Sequence, residues 1–144
     1  MAAANRQFGT QYDQYTPGPT TSRAERGHDC TIQSSQGGYS LLIQVTRALP
    51  GAIYQDQRKQ GQRQVVTDVG QAADWVMEAI RRKATRASSD VALVVDGVEA
   101  PFLAILTDLS VSADFQGELD GQAWHSIWVV GLSGARKLAG RALP

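Results

Sequence analysis

The chain has 144 residues, of which 42% are hydrophobic and 19% charged, so it can build one modest core but not two full domains. Its 14 basic and 14 acidic residues cancel, so no overall field attracts it to nucleic acid or to an anionic membrane. The single cysteine, Cys30, excludes an intramolecular disulfide framework and a cysteine-rich metal site, and it fits a reducing compartment.

The apolar runs are short, four or five residues at most, whereas a helix needs roughly 20 to span a bilayer. The N-terminus lacks the continuous apolar stretch of a secretory signal. We therefore expect an intracellular, cytoplasmic protein, or a virion protein if the chain is a phage component.

Residues 1–30 are polar and contain almost no aliphatic side chains, which predicts an N-terminal arm that is disordered unless a partner holds it. Within it Phe8, Tyr12 and Tyr15 have the spacing i, i+4, i+7, which would place three aromatic rings on one helix face for contact with a partner. A mobile arm is the alternative. Residues 31–144 are predicted to form a single domain.

The first half of that domain is predicted to contain strands followed by one clear helix. Residues 39–46 have the composition of a strand, with residues 31–34 as a hairpin partner, and residues 52–55 and 62–67 suggest a second hairpin. A helix is predicted over residues 68–85, where apolar side chains recur at helical spacing and Arg81, Arg82 and Lys83 suit the helix dipole. Glu78 and Arg82 have the spacing of an i, i+4 ion pair.

The second half is predicted to be mainly antiparallel sheet. The Asp96-Gly97 dipeptide between residues 91–95 and 98–107 is typical of a hairpin, and residues 111–115 are expected to pair with 123–132. Ser133 is predicted to cap a short C-terminal helix. The fold class is therefore α+β: an antiparallel sheet of about five to seven strands, one principal amphipathic helix and an extended N-terminal arm.

Most of these strands are apolar on both faces, so each needs cover on two sides. One helix about 10 Å wide shields roughly two strands that lie about 4.8 Å apart. The remaining cover would come from a second sheet layer, from the C-terminal helix or from another copy of the protein, and we expect a homo-oligomer or a protein partner.

The charges are distributed unevenly along the chain. Residues 91–132 contain six acidic residues and no Lys or Arg, whereas residues 31–67 contain four basic residues against one acidic. The predicted acidic contact surface consists of Asp96, Glu99, Asp108, Asp114, Glu118 and Asp120. The predicted basic contact surface consists of Arg58, Lys59, Arg63, Arg136 and Lys137. These charges either neutralise one another within one fold or orient molecules in an assembly.

No catalytic, metal or cofactor site is predicted. His28 and Cys30 provide too few ligands for zinc and no fixed geometry for an activated thiol. Ser133 lies in a glycine-flanked turn, but no acid or histidine follows it as a serine hydrolase would need, so a helix cap is its expected role. Trp124 and Trp128, four apart on a predicted strand, would lie on one face and could stack on bases.

These patterns predict a non-enzymatic structural protein, self-assembling or capping a partner, such as a viral or phage component. A small immunity or adaptor protein that binds a basic target is one alternative. A nucleic-acid-binding protein that uses the basic loop and the two tryptophans is another.

Overall fold

The computed structural model describes residues 14–17, 29–34, 40–48, 69–97, 103–132 and 134–142. Within these residues, six strands form one sheet, and their order in the sheet is their order in the chain. The strands are β1 (Gln14–Pro17), β2 (Cys30–Gln33), β3 (Ser40–Arg47), β4 (Val91–Asp96), β5 (Ser126–Gly131) and β6 (Gly134–Gly140). β1, which belongs to the segment predicted as an arm, pairs with β2.

The sheet is mixed, so the predicted antiparallel sheet is correct only in part, while the α+β class is confirmed. β1, β2 and β3 form an antiparallel meander, and β5 and β6 are also antiparallel. β3, β4 and β5 run parallel to one another. Parallel neighbours require a connection that returns the chain to the same end of the sheet. Helical segments occur in both of these connections.

The described helices are α1 (Val69–Lys83), α2 (Leu103–Asp114) and α3 (Gln116–Asp120), with a 3-10 turn at Ala84–Arg86. α1 confirms the predicted helix, and its three basic residues occupy the last turn, where cations interact favourably with the helix dipole. Its apolar stripe is buried and consists of Ala72, Ala73, Trp75, Val76, Met77, Ala79 and Ile80. No helix in the described part of the chain is long and apolar enough to cross a membrane.

Apolar residues are buried on both faces of the sheet, as the strand patterns predict. On the helix-side face, Leu93, Val95 and Ile127 pack with residues of all three helices. Full burial of such a side chain contributes about 1.5–3 kcal/mol to stability. On the opposite face, which we call the outer face, Ile32, Leu41, Ala92 and Trp128 form a second cluster that includes no residue of the described helices.

Two predicted elements of the second half are wrong. Residues 103–114, expected in two strands, form α2, and residues 134–140, expected to form a helix capped by Ser133, form β6. Short apolar runs do not distinguish a buried strand from a buried helix, and the glycines of the last segment weaken a helix there. The predicted hairpin at Asp96-Gly97 is not formed. The chain continues from β4 to α2, and β4 pairs with β5 in parallel. The hairpin predicted over residues 52–67 lies outside the described residues.

Both outermost described strands have features that hinder further strand pairing. β1 contains Pro17, which has no backbone N–H to donate, and β6 contains Lys137, a charged residue of the kind that protects sheet edges. The β5–β6 ladder also has a register shift between Ile127 and Trp128. Association through these edges is therefore disfavoured.

Candidate functional site

Near the carboxyl end of β3, beyond its pairing with β2, two side chains hydrogen-bond to the strand backbone. Pairing with β2 ends at Cys30 and Ile43, and the backbone N–H of Asp29 adds one more bond, 2.6 Å long, to the carbonyl of Ile43. Beyond that point, Oδ2 of Asp29 accepts a 2.6 Å hydrogen bond from the backbone N–H of Val45. The carbonyl of Arg47 accepts a 2.8 Å bond from Nη2 of Arg82 on α1. A carboxylate and a guanidinium thus lie along the same strand edge.

Gln44 is a buried polar residue beside this edge. It pairs with Leu93 in the parallel ladder, which places its side chain on the helix-side face, and it is only 2% exposed. Its Nε2 donates a 2.6 Å hydrogen bond to Oδ2 of Asp29. Nε2 also donates a longer bond, 3.5 Å, to the carbonyl of Val45, so Asp29 is its closer partner. An amide buried without partners costs about 1–3 kcal/mol.

Thr46 follows on the same face, opposite Val95, and is also buried. We call Asp29, Gln44, Thr46 and Arg82 the β3 edge site. In the described part of the chain, no residue donates a hydrogen bond to Oδ1 of Asp29, to Oε1 of Gln44 or to the hydroxyl oxygen of Thr46. Asp29 is exposed, whereas Gln44 and Thr46 are only 2% and 7% exposed.

The donor set of the β3 edge site suits a hard cation better than zinc. Asp29 supplies a carboxylate and Gln44 an amide oxygen, and such oxygen ligands are those of Mg²⁺ and Ca²⁺. Among the described residues, no three His, Cys, Asp or Glu side chains are grouped as a metal site. Any cation here would therefore need ligands from water or substrate in addition to the protein.

The predicted acidic surface is partly neutralised within the chain. Glu118 pairs with Arg81 at 2.7 Å, and Asp108 lies 3.9 Å from Arg136. Asp96 ends β4, Asp114 and Asp120 lie at the ends of α2 and α3, and Glu99 lies outside the described residues.

Of the predicted basic surface, Arg136 and Lys137 belong to β6, and Nζ of Lys137 donates to the carbonyl of Gly140. Arg58, Lys59 and Arg63 lie outside the described residues. They belong to the stretch of chain that connects β3 to α1.

The structure places the two tryptophans singled out from the sequence in different clusters. Tyr15 lies in β1 opposite Ile32, and Phe8 and Tyr12 lie outside the described residues. The predicted tryptophan pair is wrong, because Trp124 precedes β5 and belongs to the helix-side core, whereas Trp128 belongs to the outer-face cluster. Each is only 6% exposed, so neither is available to stack on a base.

Cys30 and His125 are two other side chains with reactive groups. Partial burial, and then the nearby Asp29 carboxylate, raise the pKa of the Cys30 thiol, so less thiolate is present at neutral pH. Nδ1 of His125 lies 3.1 Å from the hydroxyl of Ser126, which also accepts a 2.9 Å bond from Nε1 of Trp128. Ser126 is fully buried, so a substrate cannot reach it. His28 and Ser133 lie outside the described residues.

Comparison with known proteins found no match to a family model, to a curated protein or to a solved structure. The β3 edge site was missed from the sequence, although one signal was present. Gln44 interrupts the apolar run of β3 at a position that faces the core, where an uncharged polar residue needs a partner. That partner, Asp29, is 15 residues away in the chain and becomes its neighbour only when β2 and β3 pair.

Proposed function

We propose that this protein binds nucleic acid and hydrolyses its phosphodiester backbone with the help of a divalent cation at the β3 edge site. The observation that carries the proposal is the buried Gln44 amide bonded to the Asp29 carboxylate at the end of a short hairpin. A cation site requires oxygen ligands whose positions are fixed before the ligand arrives, and the bond from Gln44 fixes the Asp29 carboxylate.

The ligands present fit a magnesium-like ion that is completed by substrate. Mg²⁺ in enzymes is commonly held by one or two carboxylates, several waters and the phosphates of the substrate. Asp29 supplies the carboxylate, and Gln44 supplies its amide oxygen directly or through water.

A bound divalent cation would lower the pKa of a coordinated water and stabilise charge on the phosphoryl oxygens. Asp29 would hold and orient that water from the sheet edge, and Gln44 would keep the carboxylate in place. In the net reaction the water oxygen bonds to phosphorus and the bond to one sugar oxygen breaks. The leaving oxygen takes up a proton, and the products are a phosphomonoester and an alcohol.

Nearby basic residues support a polyanionic substrate. Arg47 and Arg82 lie at the carboxyl end of β3, near Asp29 and opposite Asp96, the partner of Arg47 in the β3–β4 ladder. Arg58, Lys59 and Arg63 belong to the segment that leads on from β3. Residues 31–67 therefore contain a basic excess along the sequence despite the zero net charge of the chain.

The activity test compares cleavage of plasmid DNA, single-stranded DNA and RNA in Mg²⁺, in Mn²⁺ and in EDTA. We expect cleavage only with a divalent cation, loss of cleavage in Asp29→Asn, and unchanged cleavage in Asp74→Asn, a matched control on an exposed position of α1. Circular dichroism verifies that each variant is folded. If no substrate is cut under any of these conditions, hydrolysis is not the function.

Cation binding can be tested separately from cleavage. Gln44→Glu would place a second carboxylate against Asp29, and a bound cation would relieve the repulsion between the two negative charges. We expect Mg²⁺ to raise the melting temperature of Gln44→Glu more than that of the wild type, and not to raise that of Asp29→Asn. Equal shifts in all three proteins would place the cation elsewhere.

A second candidate function is a self-associating or partner-capping interaction protein. Leu109 on α2 and Leu132 between β5 and β6 favour it, because they are 69% and 70% exposed. Such a partner would bind these leucines rather than the outer strands, whose edges are protected. Light scattering over a range of protein concentrations tests this candidate, since an associating protein increases in mass and a monomer remains at 15.5 kDa.

A further inference from the structure

We propose that Arg82 is a phosphate-binding residue that holds the nucleic-acid backbone alongside the β3 edge site. This inference rests on the proposed function, since it assigns the backbone contact of the same site. Its starting point is the hydrogen bond from Nη2 of Arg82 to the carbonyl of Arg47, which fixes a helix side chain on the open edge of β3.

The orientation of Arg82 differs from the one its sequence favours. Glu78, one helical turn earlier, is the expected ion-pair partner, but no ion pair joins Arg82 and Glu78 among the described residues, and the adjacent Arg81 pairs with Glu118. Arg82 turns to β3 and uses Nη2, while Nε and Nη1 have no hydrogen-bond partner among the described residues. A guanidinium offers five N–H donors in a plane, a geometry that matches phosphate.

The neighbouring Arg81, on the same turn of α1, has a structural role and provides a comparison for Arg82. Both Nε and Nη2 of Arg81 bond to Glu118, and its guanidinium carbon lies 5.7 Å from the centre of the Phe115 ring. Arg81 therefore joins α1 to α3. Arg82 carries the same charge one residue later and has no carboxylate of the described residues within ion-pair distance.

The spacing along β3 places Arg82 next to the cation ligands. Asp29 bonds to the N–H of Val45 and Arg82 bonds to the carbonyl of Arg47, two residues further along the same edge. Two residues of a strand span about 7 Å. A phosphate held by Arg82 would therefore follow the same line of backbone as a phosphate bound near Asp29.

The experiment measures binding of a fluorescent single-stranded oligonucleotide and a fluorescent duplex by anisotropy, in EDTA, from about 50 to 200 mM salt. It uses the full chain as wild type, Arg82→Gln, Arg82→Lys and the matched control Arg81→Gln. One lost phosphate contact lowers the slope of log affinity against log salt by about 0.9 for duplex and about 0.7 for single strands. We expect that decrease in Arg82→Gln, the wild-type slope in Arg82→Lys and a near-wild-type slope in Arg81→Gln.

The outcomes separate this inference from the proposed hydrolysis. If Arg82→Gln shows the reduced slope while the wild type cuts no substrate, Arg82 binds phosphate and hydrolysis is wrong. If the wild type cuts nucleic acid but Arg82→Gln and Arg81→Gln have equal slopes, the role of Arg82 is overturned. Wild-type protein that binds neither oligonucleotide at low salt overturns both.

Discussion

The guanidinium of Arg81 and the carboxylate of Glu118 are joined by two parallel hydrogen bonds, Nε to Oε1 and Nη2 to Oε2, each 2.7 Å long. This hydrogen bonding is the main cause that lowers the pKa of Glu118, so the pair stabilises the fold at neutral pH and is lost as the pH falls through that lowered pKa. Because both side chains are largely exposed, we expect Glu118→Gln to cost less than about 1 kcal/mol. Urea unfolding at neutral and acid pH measures this, and the variant should lose less stability on acidification than the wild type.

A second pH effect concerns His125. Burial, and then the charge of Arg141, lower the pKa of this imidazole, so the unfolded chain binds a proton more readily than the folded one. This contribution to stability is therefore complete above the ordinary histidine pKa of the unfolded chain. It decreases as the pH falls from that value to the lowered pKa of the folded protein. His125→Gln should remove this part of the pH dependence, whereas His28→Gln, at the other histidine, should retain it. Identical pH profiles for His125→Gln and the wild type would contradict the assignment.

Two glycines of β6 are expected to differ strongly in their tolerance of alanine. Gly140 has φ +90°, and a Cβ there would lie 2.5 Å from the carbonyl oxygen of His125. Gly134 has φ +138°, but a Cβ there would meet nothing within 4 Å. Gly134→Ala should therefore cost only the backbone strain, about 1–3 kcal/mol, and Gly140→Ala should cost clearly more. Thermal unfolding of both variants checks the order, and equal melting temperatures would show that β6 shifts without cost.

The two buried tryptophans near β5 provide a further comparison. Nε1 of Trp128 donates to Ser126, whereas Nε1 of Trp124 is buried without a hydrogen-bond partner among the described residues. Trp128→Phe loses a hydrogen bond, and Trp124→Phe removes an unsatisfied donor. We expect Trp128→Phe to be more destabilising by about 1 kcal/mol, measured by chemical denaturation. The opposite order would indicate a partner for Trp124 that the described residues do not supply.

The elements that were predicted correctly are those with local signals. The hairpin of β2 and β3 and the helix α1 have the right period, length and helix-end charges in the sequence. α2 was mistaken for strands because its apolar residues have no clear helical period, and β6 because pairing with β5, a non-local interaction, decides its structure. The parallel pairing of β4 with β5 depends on that same helix α2 and could not be predicted without it.

The β3 edge site could not be predicted from the sequence, because it also depends on non-local pairing. Asp29 was seen only as part of a polar tail, and Gln44 only as part of a strand. Their relationship is a cross-strand one, and it appears when the register of β2 and β3 is known. Arg82 likewise was assigned to Glu78 by helical spacing, while the fold places it against Arg47.

Because the strands follow one another in the sheet as they do in the chain, the outer strands can unfold or be cleaved separately from the rest. Cleavage in the segment after Pro17 or before Gly134 would release one outer strand and leave five neighbouring strands still paired, because no outer strand is threaded between two others. The rim of the sheet can thus fray or be trimmed independently at its two sides. β3, the longest strand, lies in the middle of the sheet and carries the proposed site on its β2-side edge, and its pairing with β4 would be the last part to open.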